Sequence, residues 1–118
     1  MLLYNITVSL YTVPVNIEIL NQAERELRKA PKEVIADVYS LLDDLEKGNK
    51  LSMPISKPLP SIYKGLHELR LNYRDGIYRV FYIFKIKGIT YVLHATKKKT
   101  QKIDKKTKDL LLKRIGSL

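Results

Sequence analysis

Cationic side chains are concentrated in the C-terminal half of the chain, and these are the residues whose types and spacing could do chemistry. Arg70 and Arg79 fall in two consecutive apolar segments, and the run Lys97-Lys98-Lys99 ends the third. A guanidinium presents a planar fork of donors that matches two oxygens of a phosphate, whereas an ammonium acts as a compact point charge. Gathered at one place, these cations would bind and polarise a phosphodiester.

Other kinds of chemistry find little support in the sequence. The chain has no cysteine, so disulfides and thiolate metal sites are excluded. Glycine-rich phosphate loops, Ser/His/Asp arrangements and histidine–carboxylate metal spacings are all missing, and we expect neither a metal nor a cofactor. The acidic pairs Asp43-Asp44 and Glu24/Glu26 are expected to be solvated on helix exteriors.

The N-terminal part of the chain has two kinds of apolar pattern. Tyr4, Ile6, Val8 and Leu10 alternate with polar residues, which predicts a half-buried strand. Asn16 is then a plausible N-cap for a first helix, whose apolar side is formed by Ile17, Leu20, Ala23 and Leu27. Pro31 fits the first position of a second helix that ends before Gly48, and the two helices should form an antiparallel hairpin.

The C-terminal part predicts a three-stranded meander. Residues 49–63 contain three prolines and are expected to be a loop. Strands are predicted near Leu66–Tyr73, Ile77–Ile86 and Ile89–Lys97, with turns at Asp75-Gly76 and Lys87-Gly88, followed by a helix near Lys105–Leu118 capped by Asp104. We therefore predict a single α+β domain over residues 1–118, with helices on one face of an antiparallel sheet.

The hairpin turns predict which side chains share a face. With Asp75-Gly76 as a two-residue turn, Arg70, Asn72 and Arg79 lie on one side, with the two arginines as diagonal neighbours. The Lys87-Gly88 turn adds three further residues to that side. These are His94, Thr96 and Lys98, in the company of Phe81, Ile83 and Val92. A one-residue bulge would change part of this set.

The shared face has two interpretations. Glu68 is predicted to lie on the same side, so each arginine could simply form a structural ion pair with it. Alternatively, the converging cations form an exposed anion site for phosphate. The net charge of +10 favours a polyanionic partner, but it does not separate RNA from DNA or from an acidic protein. Because no segment is apolar enough for a signal peptide or a membrane span, we expect a cytoplasmic protein that does not bind membranes.

Three successive motifs in the last half of the chain resemble a known family. They are Gly65-Leu66-His67-Glu68-Leu69-Arg70, then Tyr78-Arg79-Val80-Phe81-Tyr82, then Leu93-His94-Ala95-Thr96-Lys97-Lys98-Lys99-Thr100-Gln101-Lys102. In order and spacing they are similar to the strand motifs of phage-derived, HigB-like toxins of the RelE/ParE superfamily. The resemblance implies a RelE-like fold, a helix-turn-helix antitoxin as partner, and cleavage of mRNA on the ribosome. The family's basic positions fall on Arg70, Arg79 and the pair Lys98-Lys99.

The sequence departs from the family pattern at two places. Thr96 stands where an aromatic residue is usual, which would alter base stacking. Ile103-Asp104 replace the usual Thr-Pro, which would change only how the last helix begins. Neither departure removes a basic position.

RNA can be cleaved without metal when its own 2′-hydroxyl attacks the adjacent phosphate. Arg70 and Arg79 suit stabilisation of the developing charge, and Lys98 is our hypothesis for the base or proton shuttle, because neighbouring cations favour its neutral form. His94 is the rival proton acceptor, since imidazole titrates in the right range. The remaining cationic residues, with His94, would hold RNA backbone or form a solvated basic face. They are Lys97, Lys99, Lys102, Lys105 and Lys106.

Two other functions stay open at this stage. One is a non-enzymatic growth inhibitor resembling the ParE branch of the superfamily. The other is a plain basic module that binds nucleic acid without cleaving it.

Overall fold

The computed structural model describes residues 16–84, 88–100 and 102–118. The elements in chain order are β1 Asn16–Ile19, α1 Asn21–Arg28, α2 Lys32–Glu46, β2 Ser56–Pro58, β3 Leu66–Tyr73, β4 Gly76–Phe84, β5 Ile89–Lys98 and α3 Lys105–Gly116. This is the predicted α+β fold. The strand predicted at Tyr4–Leu10 lies outside the described residues. Within the described ranges no helix is long and apolar enough to cross a bilayer.

The strands form one five-stranded mixed sheet in the order β1-β5-β4-β3-β2. β1 runs parallel to β5, and the other neighbours are antiparallel. The prediction that Asn16 caps a helix is wrong, because Ile17 and Ile19 follow a period of two and belong to β1. Residues 49–63 were expected to be only a loop, but they contain the edge strand β2, which pairs with β3.

The first two helices cover one face of the sheet. Their buried apolar residues recur at helical spacing, and they pack on Leu69, Leu71, Tyr78, Val80 and Tyr82 of the sheet. The helical members of this core are Ala23, Leu27, Val34, Val38, Leu42 and Leu45. Pro31 precedes the first residue of α2, and Gly48, with φ +89°, lets the chain turn away after the helix.

The third helix covers the opposite face, which corrects the prediction that all helices lie on one side. Leu111 and Ile115 pack against Leu66, Phe81 and Ile83 in a second core. Asp104 caps α3 as predicted, since its side chain accepts a hydrogen bond from the Thr107 amide at 2.8 Å. The face that carries the predicted cations is therefore partly covered by a helix.

The β3–β4 register keeps the predicted faces but moves the turn. Tyr73 pairs with Gly76, so Arg74 and Asp75 form the turn. The pairing differs from the prediction by two residues, and because side chains alternate with a period of two, every side chain stays on its predicted face. Arg70 consequently lies directly opposite Arg79 instead of diagonally from it.

A bulge interrupts the pairing of β4 with β5. Phe81 pairs with His94 as predicted, but Tyr82 pairs with Val92, so Leu93 is an extra residue. Val92 belongs to the core beneath α1 and α2, which corrects its predicted place beside Ile83. Arg79 still pairs with Thr96, and Ile77 with Lys98, so the cation-bearing side is as predicted.

Candidate functional site

Two arginines of neighbouring strands share one carboxylate. Arg70 on β3 and Arg79 on β4 are paired residues, and Glu68 lies two residues before Arg70 on the same face. The Glu68 oxygens lie 3.4 Å from Arg70 Nε and 3.3 Å from Arg79 Nε. Two cations and one anion leave this arginine pair with one net positive charge. Glu68 is thus the compensating residue that the sequence suggested.

The arginine pair is much less exposed than predicted. Only 1% of the Arg79 side chain and 2% of the Glu68 side chain are accessible, whereas 15% of Arg70 is. The expectation of an exposed cationic face is wrong for Arg79, because α3 packs on this side and Arg79 Nη2 donates to the Thr100 carbonyl after β5. Arg70 is the more accessible member.

Burial dominates the electrostatics of the pair. It raises the pKa of the Glu68 carboxyl in spite of the Arg79 and Arg70 charges, and it lowers the pKa of Arg79 in spite of the Glu68 charge. Arg79 Nε and Glu68 Oε2 make no hydrogen bond within the described residues, so their contact is Coulombic.

The lysines of the C-terminal run differ in their contacts. Lys98 shares the face of the arginine pair, and its Nζ lies 3.3 Å from Asp104 Oδ2. Lys97 pairs with Asp75 at 2.9 Å. Lys99 and Lys102 are exposed and form no ion pair with any described residue. Of these four lysines, the last two are the most available to an anion.

A second cluster joins three elements around His94. His94 Nδ1 lies 2.8 Å from Glu26 Oε1 of α1, and Arg114 of α3 donates to both Glu26 oxygens at 2.9 and 3.0 Å. The Ala95 amide also donates to Glu26, and Arg114 donates to the Leu93 carbonyl at the bulge. We call Glu26, His94 and Arg114 the histidine network. It fixes the imidazole between two helices and the sheet.

The histidine network has its own charge balance. Burial raises the pKa of Glu26, but the hydrogen bonds from Arg114 and His94 outweigh it and leave that pKa below the ordinary value. Burial lowers the pKa of His94, and Glu26 offsets only part of this effect. The imidazole is therefore neutral at pH 7 beside an ionised carboxylate.

One cavity brings several predicted residues together. It has a volume of about 650 Å³ and lies between the α1–α2 connection and strands β4 and β5. Its polar lining includes Arg79, His94, Thr96 and Lys97, together with Glu26. Arg70 lines a different cavity, of about 480 Å³, with Asp37 and Asn72. Among the described residues no group of His, Asp and Glu could hold a metal ion.

The sequence of the chain identifies its family. The family model described as Phage derived protein Gp49-like (DUF891) matches residues 25–115. The chain belongs to this Gp49-like family. The matched region contains the arginine pair, the histidine network and Lys98, so both clusters are parts of the Gp49-like domain. A comparison with curated protein sequences gives no significant match.

Solved structures show the fold of this Gp49-like protein. It is similar to a chain of the toxin–antitoxin complex RelBE2 from Mycobacterium tuberculosis, with 23% identity, a TM-score of 0.55, and coverage of 73% of this chain and 100% of that chain. It is also similar to a mutant of the E. coli toxin RelE in the free state, with 19% identity, a TM-score of 0.54, and coverage of 87% and 99%. The Gp49-like chain therefore has the RelE fold.

Sequence reasoning missed two members of the histidine network. Glu26 was expected to be solvated, but it lies between Ala23 and Leu27 at the border of the buried stripe of α1. That position beside the core was a usable signal. Arg114 carried no comparable signal, because its role depends on α3 crossing to the second face of the sheet.

Proposed function

We propose that this Gp49-like protein is the toxin of a type II toxin–antitoxin system and cleaves mRNA during translation through attack of the RNA 2′-hydroxyl. Family membership and the RelE fold support a toxin. The observation that carries the proposal is the arginine pair, in which Arg70 and Arg79 face each other across two strands and share Glu68. The HigB-like branch remains our assignment within the superfamily.

The reaction needs stabilisation of charge at phosphorus. When the 2′-oxygen attacks, negative charge grows on the non-bridging oxygens, and a positioned guanidinium stabilises it. Arg70, the more accessible of the two, is proposed to meet the phosphate directly, and the buried Arg79 is proposed to act through its charge. Loss of one such donor costs roughly 10²–10³-fold in rate.

Proton transfer and RNA binding complete the mechanism. Lys98 is proposed as base or proton shuttle, with His94 as the alternative acceptor, since both belong to the face of the arginine pair. Lys97, Lys99 and Lys102 are proposed to hold the RNA backbone through charge. No metal or cofactor takes part in this scheme.

The proposed partners follow from the same assignment. The M. tuberculosis relative was solved in a toxin–antitoxin complex, and we propose a helix-turn-helix antitoxin as the partner of this chain. Its substrate would be mRNA bound to the ribosome, which places its action in the cytoplasm. A net charge of +10 suits approach to ribosomal RNA.

Controlled expression with primer-extension mapping of transcripts tests the function. We expect translation-dependent cuts with the parent chain, and losses of about 10²–10³-fold for Arg70→Ala and Arg79→Lys. Lys98→Ala should also impair cleavage. Lys47→Ala is the matched control, because Lys47 pairs with Asp43 on α2, away from the arginine pair. Circular dichroism of each purified variant separates loss of chemistry from loss of fold.

Two outcomes would contradict the proposal. Growth arrest with intact transcripts would indicate a non-enzymatic inhibitor like those of the ParE branch. Salt-sensitive RNA binding without arrest or cleavage would indicate a plain nucleic-acid-binding module.

A further inference from the structure

The contact with Glu26 determines which imidazole nitrogen of His94 carries the proton. An ionised carboxylate only accepts hydrogen bonds, so at 2.8 Å from Glu26 Oε1 the Nδ1 atom must be the donor. Nε2 then carries a lone pair. Nε2 makes no hydrogen bond with any described residue, and this atom is not fully enclosed. The His94 side chain keeps 11% of its surface accessible.

The imidazole is held in place from several directions. Its ring stacks on Phe81, with centroids 5.9 Å apart and planes 15° from parallel. Arg114 holds both oxygens of Glu26, and the Ala95 amide donates to the same carboxylate. Such an arrangement fixes both the tautomer and the direction of the reactive nitrogen, as a proton acceptor requires.

The histidine network lies next to the arginine pair. Arg79 pairs with Thr96 across the strands, and His94 is two residues before Thr96, so Arg79 and His94 are diagonal neighbours. The Arg79 guanidinium lies on the α3 side of the sheet against Glu68, and the His94 ring stacks on Phe81 of the same face.

We propose that His94 Nε2 is the proton acceptor of the cleavage reaction and that Glu26, braced by Arg114, is the residue that positions it. This inference rests on the proposed function and decides between the two candidate acceptors. Lys98 Nζ donates to Asp104 instead, which is the contact of a protonated ammonium, and this suits the role of proton donor.

The proton and bond changes balance without a further reactant. His94 Nε2 takes the proton of the 2′-hydroxyl, and the 2′-oxygen forms a bond to the adjacent phosphorus. The bond from phosphorus to the 5′-oxygen breaks, and that oxygen takes a proton from the Lys98 ammonium. The products are a 2′,3′-cyclic phosphate and a 5′-hydroxyl. The His94 imidazolium then releases its proton to solvent, and the neutral Lys98 amine takes up a proton from solvent.

Several charged groups set the protonation of His94. Burial lowers its pKa most, the Glu26 carboxylate raises it, and the positive charges of Arg114 and Lys98 lower it. The sum leaves the neutral imidazole, which is the form able to accept a proton, at pH 7. Cleavage should therefore fall as pH decreases through the pKa of His94.

The first experiment reads the tautomer in the full chain without any RNA. Long-range proton–nitrogen NMR spectra should show His94 protonated at Nδ1 and bare at Nε2, with His67, the other histidine, as internal reference. In Glu26→Gln the pKa of His94 should fall further, because the raising charge is lost. In Glu24→Gln, the matched control on the same helix, the pKa of His94 should not change. A proton on Nε2 in the parent at pH 7 would overturn the inference.

The second experiment measures cleavage of ribosome-bound mRNA against pH. In the parent, the cleavage rate should fall on the acid side with a midpoint at the pKa of His94 measured by NMR. In Glu26→Gln this midpoint should lie at lower pH. His94→Asn should lose about 10²–10⁴-fold. Full activity in His94→Asn, with an active parent, would overturn this inference and leave the proposed function intact. A parent that cleaves nothing would instead overturn the proposed function, and this inference with it.

Discussion

At the scale of single residues, the most consequential feature is a buried charge that depends on one partner. Arg79 and Glu68 are almost wholly inaccessible, and their shortest contact is 3.3 Å without a hydrogen bond. A buried ion pair of this kind contributes little when intact, but removal of one partner leaves the other charge uncompensated. Glu68 is thus more important for stability than its contact distances suggest.

We predict that Glu68→Ala lowers the free energy of unfolding by about 3–5 kcal/mol, the usual cost of breaking a buried pair. Urea unfolding followed by circular dichroism measures this change. Glu24→Gln is the control and should change the free energy by less than about 0.5 kcal/mol, because its pair with Arg28 is largely solvated. A loss below about 1 kcal/mol for Glu68→Ala would mean that Arg79 finds another partner.

At the scale of elements, α3 decides what the cationic face can do. Leu111 and Ile115 attach it to the second core, Arg114 joins it to the histidine network, and Asp104 caps its first turn beside Lys98. The same helix therefore buries part of the arginine pair and braces His94. Substitutions at the N-terminus of α3 are therefore expected to affect both the arginine pair and the histidine network.

Asp104 provides a prediction of pH dependence for this helix. Its hydrogen bonds with the side chain and the amide of Thr107, followed by that with Lys98, lower the pKa of Asp104 from 3.8 to about 2. Because the folded pKa is lower than the unfolded one, the stabilisation is complete above about pH 3.8 and is lost as pH falls towards 2. Asp104→Asn keeps a capping acceptor but cannot titrate. The difference in unfolding free energy between parent and variant should shrink over that pH range, and a constant difference would contradict the assignment.

At the scale of the whole molecule, the excess of positive charge is unevenly available. Several lysines already have acidic partners, among them Lys97, Lys98 and Lys105. Lys99 and Lys102 have none among the described residues, and they lie in the segment between β5 and α3. Part of the positive charge is therefore neutralised locally, and Lys99 and Lys102 are among the cations ready to meet a polyanion.

Salt dependence of RNA binding tests this view. For a single strand, each phosphate that a cation neutralises contributes roughly −0.7 to the slope of log affinity against log salt concentration. Replacement of Lys99 and Lys102 by alanine should make the slope less steep by about 1.4, because two phosphates would no longer be neutralised. Fluorescence anisotropy with labelled single-stranded RNA measures it. Lys47→Ala should leave the slope unchanged, and an unchanged slope in the double variant would place the RNA elsewhere.

The sequence by itself determined the α+β class, the meander and the residues on each face of β3 and β4. These depend on local rules: a period of two in strands, a period near 3.6 in helices, and turn residues between them. The predicted register was wrong by two residues, but Arg70 and Arg79 still lie on the predicted face, because side chains alternate between the faces with a period of two. The cap at Asp104 was equally local.

Only the tertiary structure decided how exposed those residues are and what holds them. α3 crosses to the cationic face, and this placement buries Arg79 and brings Arg114 to Glu26 and His94. No local pattern specifies which side of a sheet a terminal helix will cover, since an amphipathic stripe fits any apolar surface of the right size. The bulge is similar, because it places Leu93 and His94 on the same face of the sheet, which the period of two along β5 does not predict.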